Sequence, residues 1–269
     1  MIIIDKEKCV GCAKCVSDCF PRNIIIENAK AKIENENCMR CGHCVAICPQ
    51  NAVEISEYDM ADVVEIHEPN FSEDELLSLI KGRRSVRQYK DRPVEKELIE
   101  QMIEAGRYTA TGGNLQGLSF IVIDKKMADF RTLVMDSISE KSSSLIVSDK
   151  TPPQMKYAAG RWLSFVNEHK ENPKDNDRFF FGAPVVILIA GDSAFDAGLA
   201  ASNMELVACS NNLGLLYSGA IVSGASDEKI KEVVGVPMDK KVLTALVIGY
   251  PDVQYKRSAP RKKADAIWS

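Results

Sequence analysis

This chain of 269 residues lacks any apolar run long enough to span a bilayer; its longest, Pro184 to Ala190, has only the length of a strand. Met1 to Ile4 is too short for the apolar region of a signal peptide, so the expectation is a cytoplasmic protein with no membrane partner. Positive charge is not in excess. The formal net charge is −4 and the pI near 5.6, with both signs mixed along the chain, which gives no basic field for nucleic acid. No G-x-G-x-x-G follows a strand, so no separate nicotinamide domain is expected. No side chain stands out as a general acid or base, and no catalytic residue is singled out. What remains is a chain with 45% hydrophobic content, enough for a small module plus one domain of about 200 residues.

Cysteine is present in quantity and in order. Eight of the nine fall at 9, 12, 15 and 19 and again at 38, 41, 44 and 48, which is C-x2-C-x2-C-x3-C written twice. A cubane iron-sulfur cluster needs four thiolates on one small volume. In the two-cluster arrangement the last cysteine of each run serves the other cluster, so Cys9, Cys12, Cys15 and Cys48 would form one set and Cys38, Cys41, Cys44 and Cys19 the second. A shift of 29 residues maps Ile4 on Ile33, Ile24 on Val53 and Ile26 on Ile55, so apolar strands flank each run. Structural zinc usually takes two C-x2-C pairs separated by a longer loop, and disulfides need an oxidising compartment. Residues 1–58 resemble a bacterial 2x(4Fe-4S) ferredoxin, which implies two 4Fe-4S clusters as cofactors. One departure is that Pro49 follows Cys48 directly, whereas Phe20 separates Cys19 from Pro21.

Residues 59–71 are acidic and irregular and read as a connector ending near Pro69, before a second domain over 72–269. Ser72 and Glu75 have the spacing of a capping box for a helix carrying Leu76, Leu77 and Ile80 and stopping at Gly82. Arg83-Arg84-Ser85-Val86-Arg87-Gln88-Tyr89 follows. Three guanidinium groups so close repel one another unless they meet an anion; phosphate and a ring edge suit them, and a solvated basic patch is the plainer alternative. A helix is expected from Pro93 through Leu98, Met102 and Ile103. It leads to Thr109-Ala110-Thr111-Gly112-Gly113-Asn114-Leu115-Gln116, where small residues allow close backbone approach to a ligand, although most Gly-Gly stretches are turns.

The spacing of R-R-S-x-R-x-Y, a T-G-G-N-x-Q loop and a strand over Ser119 to Asp124 resembles the FMN-binding nitroreductase family. The resemblance implies an α+β domain with a central mixed sheet flanked by helices. It implies that Arg83, Arg84, Ser85 and Arg87 hold FMN, that Ala110, Thr111, Gly112 and Asn114 reach it from the partner subunit of a homodimer, and that Ser218, Gly219 and Arg261 complete the site. Proline is more usual where Ala110 stands.

Residues 125–180 read as a mobile insertion suited to a lid, with Phe165, Phe179, Phe180 and Phe181 near its ends either lining it or simply core, and with His169 solvated. Val185 to Ala190 and Val242 to Gly249 are expected as buried strands, Asp196 to Leu213 as a central helix with Gly214 at its C-cap and Cys209 an inert thiol within it, and a further helix from Ser226. Together the modules imply an oxidoreductase in which two 4Fe-4S clusters pass electrons to FMN, which reduces a nitroaromatic, quinone or activated alkene. NAD(P)H or reduced ferredoxin would be the donor. The alternative is an electron carrier serving a partner protein without turnover of its own.

Overall fold

A computed structural model describes residues 1–269 except Asn35 and Pro69. The expected end of the connector at Pro69 therefore lies outside the described residues. The chain divides into two compact units, one of Met1–Asn70 with Thr111–Gln116, the other of Phe71–Ala110 with Gly117–Ser269.

In the first unit the internal repeat is visible as matched elements. Strand β1 (Ile2–Ile4) and helix α1 (Lys14–Ser17) recur as β3 (Lys30–Ile33) and α2 (His43–Ala46), and β2 (Ile24–Glu27) recurs as β4 (Val53–Ile55). Pairing crosses the repeat: β1 lies antiparallel to β4, with Ile4 opposite Val53, and β2 antiparallel to β3, with Ile24 opposite Ile33. Ile2, Val53 and Ile55 form one small buried cluster and Ile24, Ala31 and Ala52 join Cys9 and Cys15 in another.

The cysteines line two cavities of about 20 Å³ each, Cys9, Cys12, Cys15 and Cys48 around one and Cys19, Cys38, Cys41 and Cys44 around the other. Among the described residues, however, no group of three or more His, Cys, Asp or Glu side chains is set to hold a metal ion. The expectation of a two-cluster ferredoxin domain, with these eight cysteines as iron ligands and electrons routed through them to FMN, is corrected accordingly.

The second unit is built on a four-stranded sheet of β5 (Ser119–Ile123), β6 (Val185–Gly191), β7 (Gly214–Tyr217) and β8 (Lys241–Gly249) in the order β5-β6-β8-β7. Its three described pairings are antiparallel, so the expected mixed sheet is corrected; among the described residues the one parallel contact is an isolated bridge from Ser85 to Leu215. Side chains alternate across a strand, and β6 is buried along its whole length because both faces are covered. Val186, Leu188 and Ala190 face a core with Phe130, Val134 and Ile221. Val185, Ile187 and Ile189 face the other, with Ile99, Met102 and Met204.

Helix α3 (Glu73–Gly82) begins with the expected capping box, Glu75 N donating to Ser72 Oγ at 3.2 Å and Ser72 N to the Glu75 carboxylate at 2.7 Å. Helices α4 (Lys96–Arg107) and α7 (Ala194–Ser210) supply Ile99, Met102 and Met204 to one face of the sheet. On the other lie α5 (Met127–Val147), α6 (Pro153–Glu171), α8 (Gly219–Ala225) and α9 (Glu228–Val234).

Residues 125–180 are thus a packed helical hairpin. Phe179 and Phe180 are core, the Phe180 ring meeting Phe130 edge-on at 5.9 Å. Asp177 ties the end of the hairpin down by accepting from the amides of Phe180 and Gly182 and pairing with Arg131 at 3.1 Å. His169 is half-buried rather than solvated, and its Nδ1 has no hydrogen-bond partner among the described residues. No described helix is long and apolar enough to cross a membrane.

Candidate functional site

The segment after α3 is laced to the sheet edge, and this lacing decides which of its side chains face outward. Val86 N donates to Leu215 O at 3.1 Å, Lys90 N to Tyr250 O at 2.8 Å and Asp252 N to Gln88 O at 2.8 Å. Val86 is buried and Arg87 exposed. The Tyr89 hydroxyl is shared between the carbonyls of Val86 and Val247 at 3.0 and 3.1 Å, and burial pushes its pKa up.

The arginines do not act as one patch. Arg83 Nη1 lies 3.1 Å from Glu205 Oε1, a carboxylate buried on α7. Arg84 is occupied by backbone: Nη1 donates to Lys81 O at 3.0 Å and Nη2 to Arg257 O at 2.9 Å, which draws in the C-terminal tail. Among the described residues Arg87 has a single hydrogen-bond contact, to Ser85 O at 3.5 Å. Arg261 is exposed and among the described residues reaches just its neighbour Pro260 O, at 3.2 Å.

Glu205 was not singled out by the sequence, yet it joins two of the segments that were. Its second oxygen accepts from the Tyr217 hydroxyl at 3.4 Å, and Tyr217 directly precedes Ser218 and Gly219. Burial raises the Glu205 carboxyl above its ordinary value, with Arg83 pulling in the opposite sense. Burial, then the neighbouring Glu205 carboxylate, raises Tyr217 and Cys209. The available signal was a carboxylate set among Met204, Leu206 and Val207 in the second half of the helix. A charge there needs a partner, and buried carboxylates are seldom left without one. Ser218 caps α8, its Oγ accepting from Ile221 N at 3.3 Å, while its own amide donates to Ala245 O at 2.9 Å.

A cleft of about 550 Å³ opens beside this arrangement, lined among others by Arg83, Arg84, Cys209, Leu213, Val253 and Tyr255. Ala110 follows Thr109, whose hydroxyl accepts from the Asn203 amide at 2.9 Å. Thr111, Gly112 and Asn114 belong to the other compact unit. There Gly112–Asn114 forms a 3-10 turn, and the Asn114 amide donates to Met39 O at 3.3 Å and Arg40 O at 3.0 Å.

The second unit is thus a three-layer α+β arrangement with a basic arm on its sheet edge, and comparison with known proteins identifies its class. Residues 80–250 match the model of the nitroreductase family. The chain belongs to that family. Residues 1–49 match the 4Fe-4S dicluster domain model, a likeness of sequence confined to the cysteine-bearing unit. An NADPH-dependent oxidoreductase of Staphylococcus aureus is 23% identical over 196 residues, covering 72% of each chain. Among solved structures, a nitroreductase with bound FMN from Bacteroides fragilis has a TM-score of 0.55 at 18% identity, over 72% of this chain and 99% of that one. One from Desulfitobacterium hafniense, also with bound FMN, has a TM-score of 0.54 at 20% identity, over 72% and 98%.

Proposed function

We propose that this chain is an FMN-dependent oxidoreductase of nitroreductase type that takes reducing equivalents from NADPH and passes them to a small organic acceptor such as a nitroaromatic, quinone or activated alkene. Family membership and the FMN held by similarly folded structures support the cofactor, and the Staphylococcus aureus relative supports the donor. The observation that carries the reading is the division of labour in the arm. Arg83 is oriented by a buried carboxylate, while Arg87 and Arg261 carry charge that no acidic side chain neutralises among the described residues. Such a set suits a phosphate at the foot of the flavin.

FMN, when bound, supplies the hydride and single-electron chemistry, and the protein supplies binding, orientation and electrostatics. Arg83, Arg87 and Arg261 serve the phosphate. Ser85 and the backbone of Ser218 and Gly219 border the remainder of the flavin, and Thr111, Gly112 and Asn114 come from a second copy of the chain in a homodimer.

The test is reconstitution. Protein stripped of flavin is titrated with FMN, then mixed anaerobically with NADPH or NADH and a nitroaromatic or a quinone. Saturable FMN binding with acceptor-dependent NADPH oxidation is expected. Failure to bind FMN sinks the proposal, and flavin reduction without acceptor turnover favours an electron carrier instead.

A further inference from the structure

Two segments separated by more than a hundred residues converge on one buried carboxylate. Glu205 lies in the middle of α7 and is 4% exposed. One oxygen receives Arg83 Nη1 at 3.1 Å and the other the Tyr217 hydroxyl at 3.4 Å. Arg83 directly follows α3 as its C-cap, and Tyr217 ends β7 immediately before Ser218. A guanidinium carries five N–H donors in a rigid fork. Engaging one nitrogen from the protein side restrains where the group sits and leaves donors for a second acceptor. Arg83 side-chain exposure is 36%, so the guanidinium is reachable while its partner is not.

Electrostatics alone would not select a glutamate here, because its charge cancels that of the arginine it holds. Burying a carboxylate is costly, and replacing a buried ion pair by apolar groups is often neutral or stabilising. A gain in geometry is the remaining reason for it. We propose that Glu205 is a positioning residue for flavin phosphate recognition, holding Arg83 in the orientation that offers its free donors to the phosphate while setting the 217–219 segment at a fixed distance from it. This rests on the flavin reading above.

The readout is the ratio of affinities for FMN and riboflavin, which differ by the phosphate alone. Glu205→Leu is expected to lower that ratio about 10-fold, the worth of one charge-assisted hydrogen bond. Glu205→Gln keeps an acceptor for Arg83 and should hold the ratio within about threefold, a smaller change than that bond is worth. Arg83→Met should lower the ratio as far as Glu205→Leu, and the double variant Arg83→Met/Glu205→Leu no further than Arg83→Met. The double variant also buries no unpaired charge, so it keeps the comparison available if Glu205→Leu alone does not fold. A parallel loss of FMN and riboflavin binding in Glu205→Leu, with the ratio unchanged, would show a purely structural role and overturn the proposal. A rise in the ratio would overturn it as well, since Glu205 would then compete with phosphate for Arg83. An unchanged ratio in Arg83→Met would remove Arg83 from the phosphate site, a failure of the underlying flavin reading that the other variants do not mimic.

Discussion

Gly214 lies so close to Val86 that a Cβ on the glycine would sit 2.7 Å from Val86 Cγ2 and 2.9 Å from both Val86 Cβ and Cγ1. This explains the glycine differently from the expected helix C-cap. Helix α7 already ends at Ser210, the left-handed residue after it is Asn212 with φ 57°, and Gly214 opens β7. Its role is to let the arginine arm lie against the sheet edge. Gly214→Ala should therefore displace Val86 and cost about 1–3 kcal/mol, as overpacking does. Urea unfolding of the flavin-free protein measures that loss, and FMN affinity should fall with it because Ser85 and Arg87 move with Val86.

The arginines should separate by function. Arg87 is exposed and makes no ion pair among the described residues, so Arg87→Ala should weaken FMN binding about 10-fold or more with little change in stability. Arg84 instead ties Lys81 O to Arg257 O. Arg84→Ala should leave the FMN phosphate contribution nearly intact but free the tail, seen as faster tryptic cleavage at Lys256 and Arg257. Equal flavin losses in the two variants would mean that the arm is an undivided basic patch.

Glu205 also makes a prediction about pH. Its carboxyl is raised above the ordinary value of 4.5 because burial outweighs the pull of Arg83. A raised folded-state value means the native protein binds more protons than the unfolded chain, so this group's contribution is fully present below 4.5 and is lost as pH rises through the raised value. The groups around it are Arg83, Tyr217 and Cys209. The unfolding free energy of Glu205→Gln relative to the unsubstituted protein should therefore increase from pH 4.5 toward neutrality. A difference that is flat with pH would show that the carboxylate does not titrate in that window.

The proposed homodimer predicts complementation. Arg87→Ala and Asn114→Ala, each impaired alone, should on subunit exchange form a heterodimer with one intact and one doubly damaged site, if the arm and the loop come from different subunits. Activity above both parents is the expected result. Exchange without recovery would place both anchors in one chain.

Where local rules decide the outcome, the elements were legible in the sequence. The capping box at Ser72, the stop at Gly82, and the strands beginning at Ser119 and near Val185 and Val242 all follow from spacing and periodicity. The hairpin over 127–171 was not legible, because what orders α5 and α6 is their packing on one another and on the sheet, which has no local signal. The cysteine runs were legible as a repeat, and the repeat is present in the pairing of β1 with β4 and β2 with β3. The metal centres read from the same runs were not upheld, since ligand spacing along a chain does not by itself place side chains as a metal-holding group.

By itself, the sequence determined the arm, the loop and the family they resemble, because a run of arginines beside a serine and a glycine-rich turn are local patterns. Only the tertiary structure decided what each arginine does. Whether a guanidinium is free for a ligand depends on what lies across from it. The partners here are Glu205, 122 positions from Arg83, and Arg257, 173 from Arg84. Such distances in sequence carry no periodic signal. Long-range contacts are settled by how helices and strands pack, and packing brought one buried carboxylate to the meeting point of the arm and the strand end.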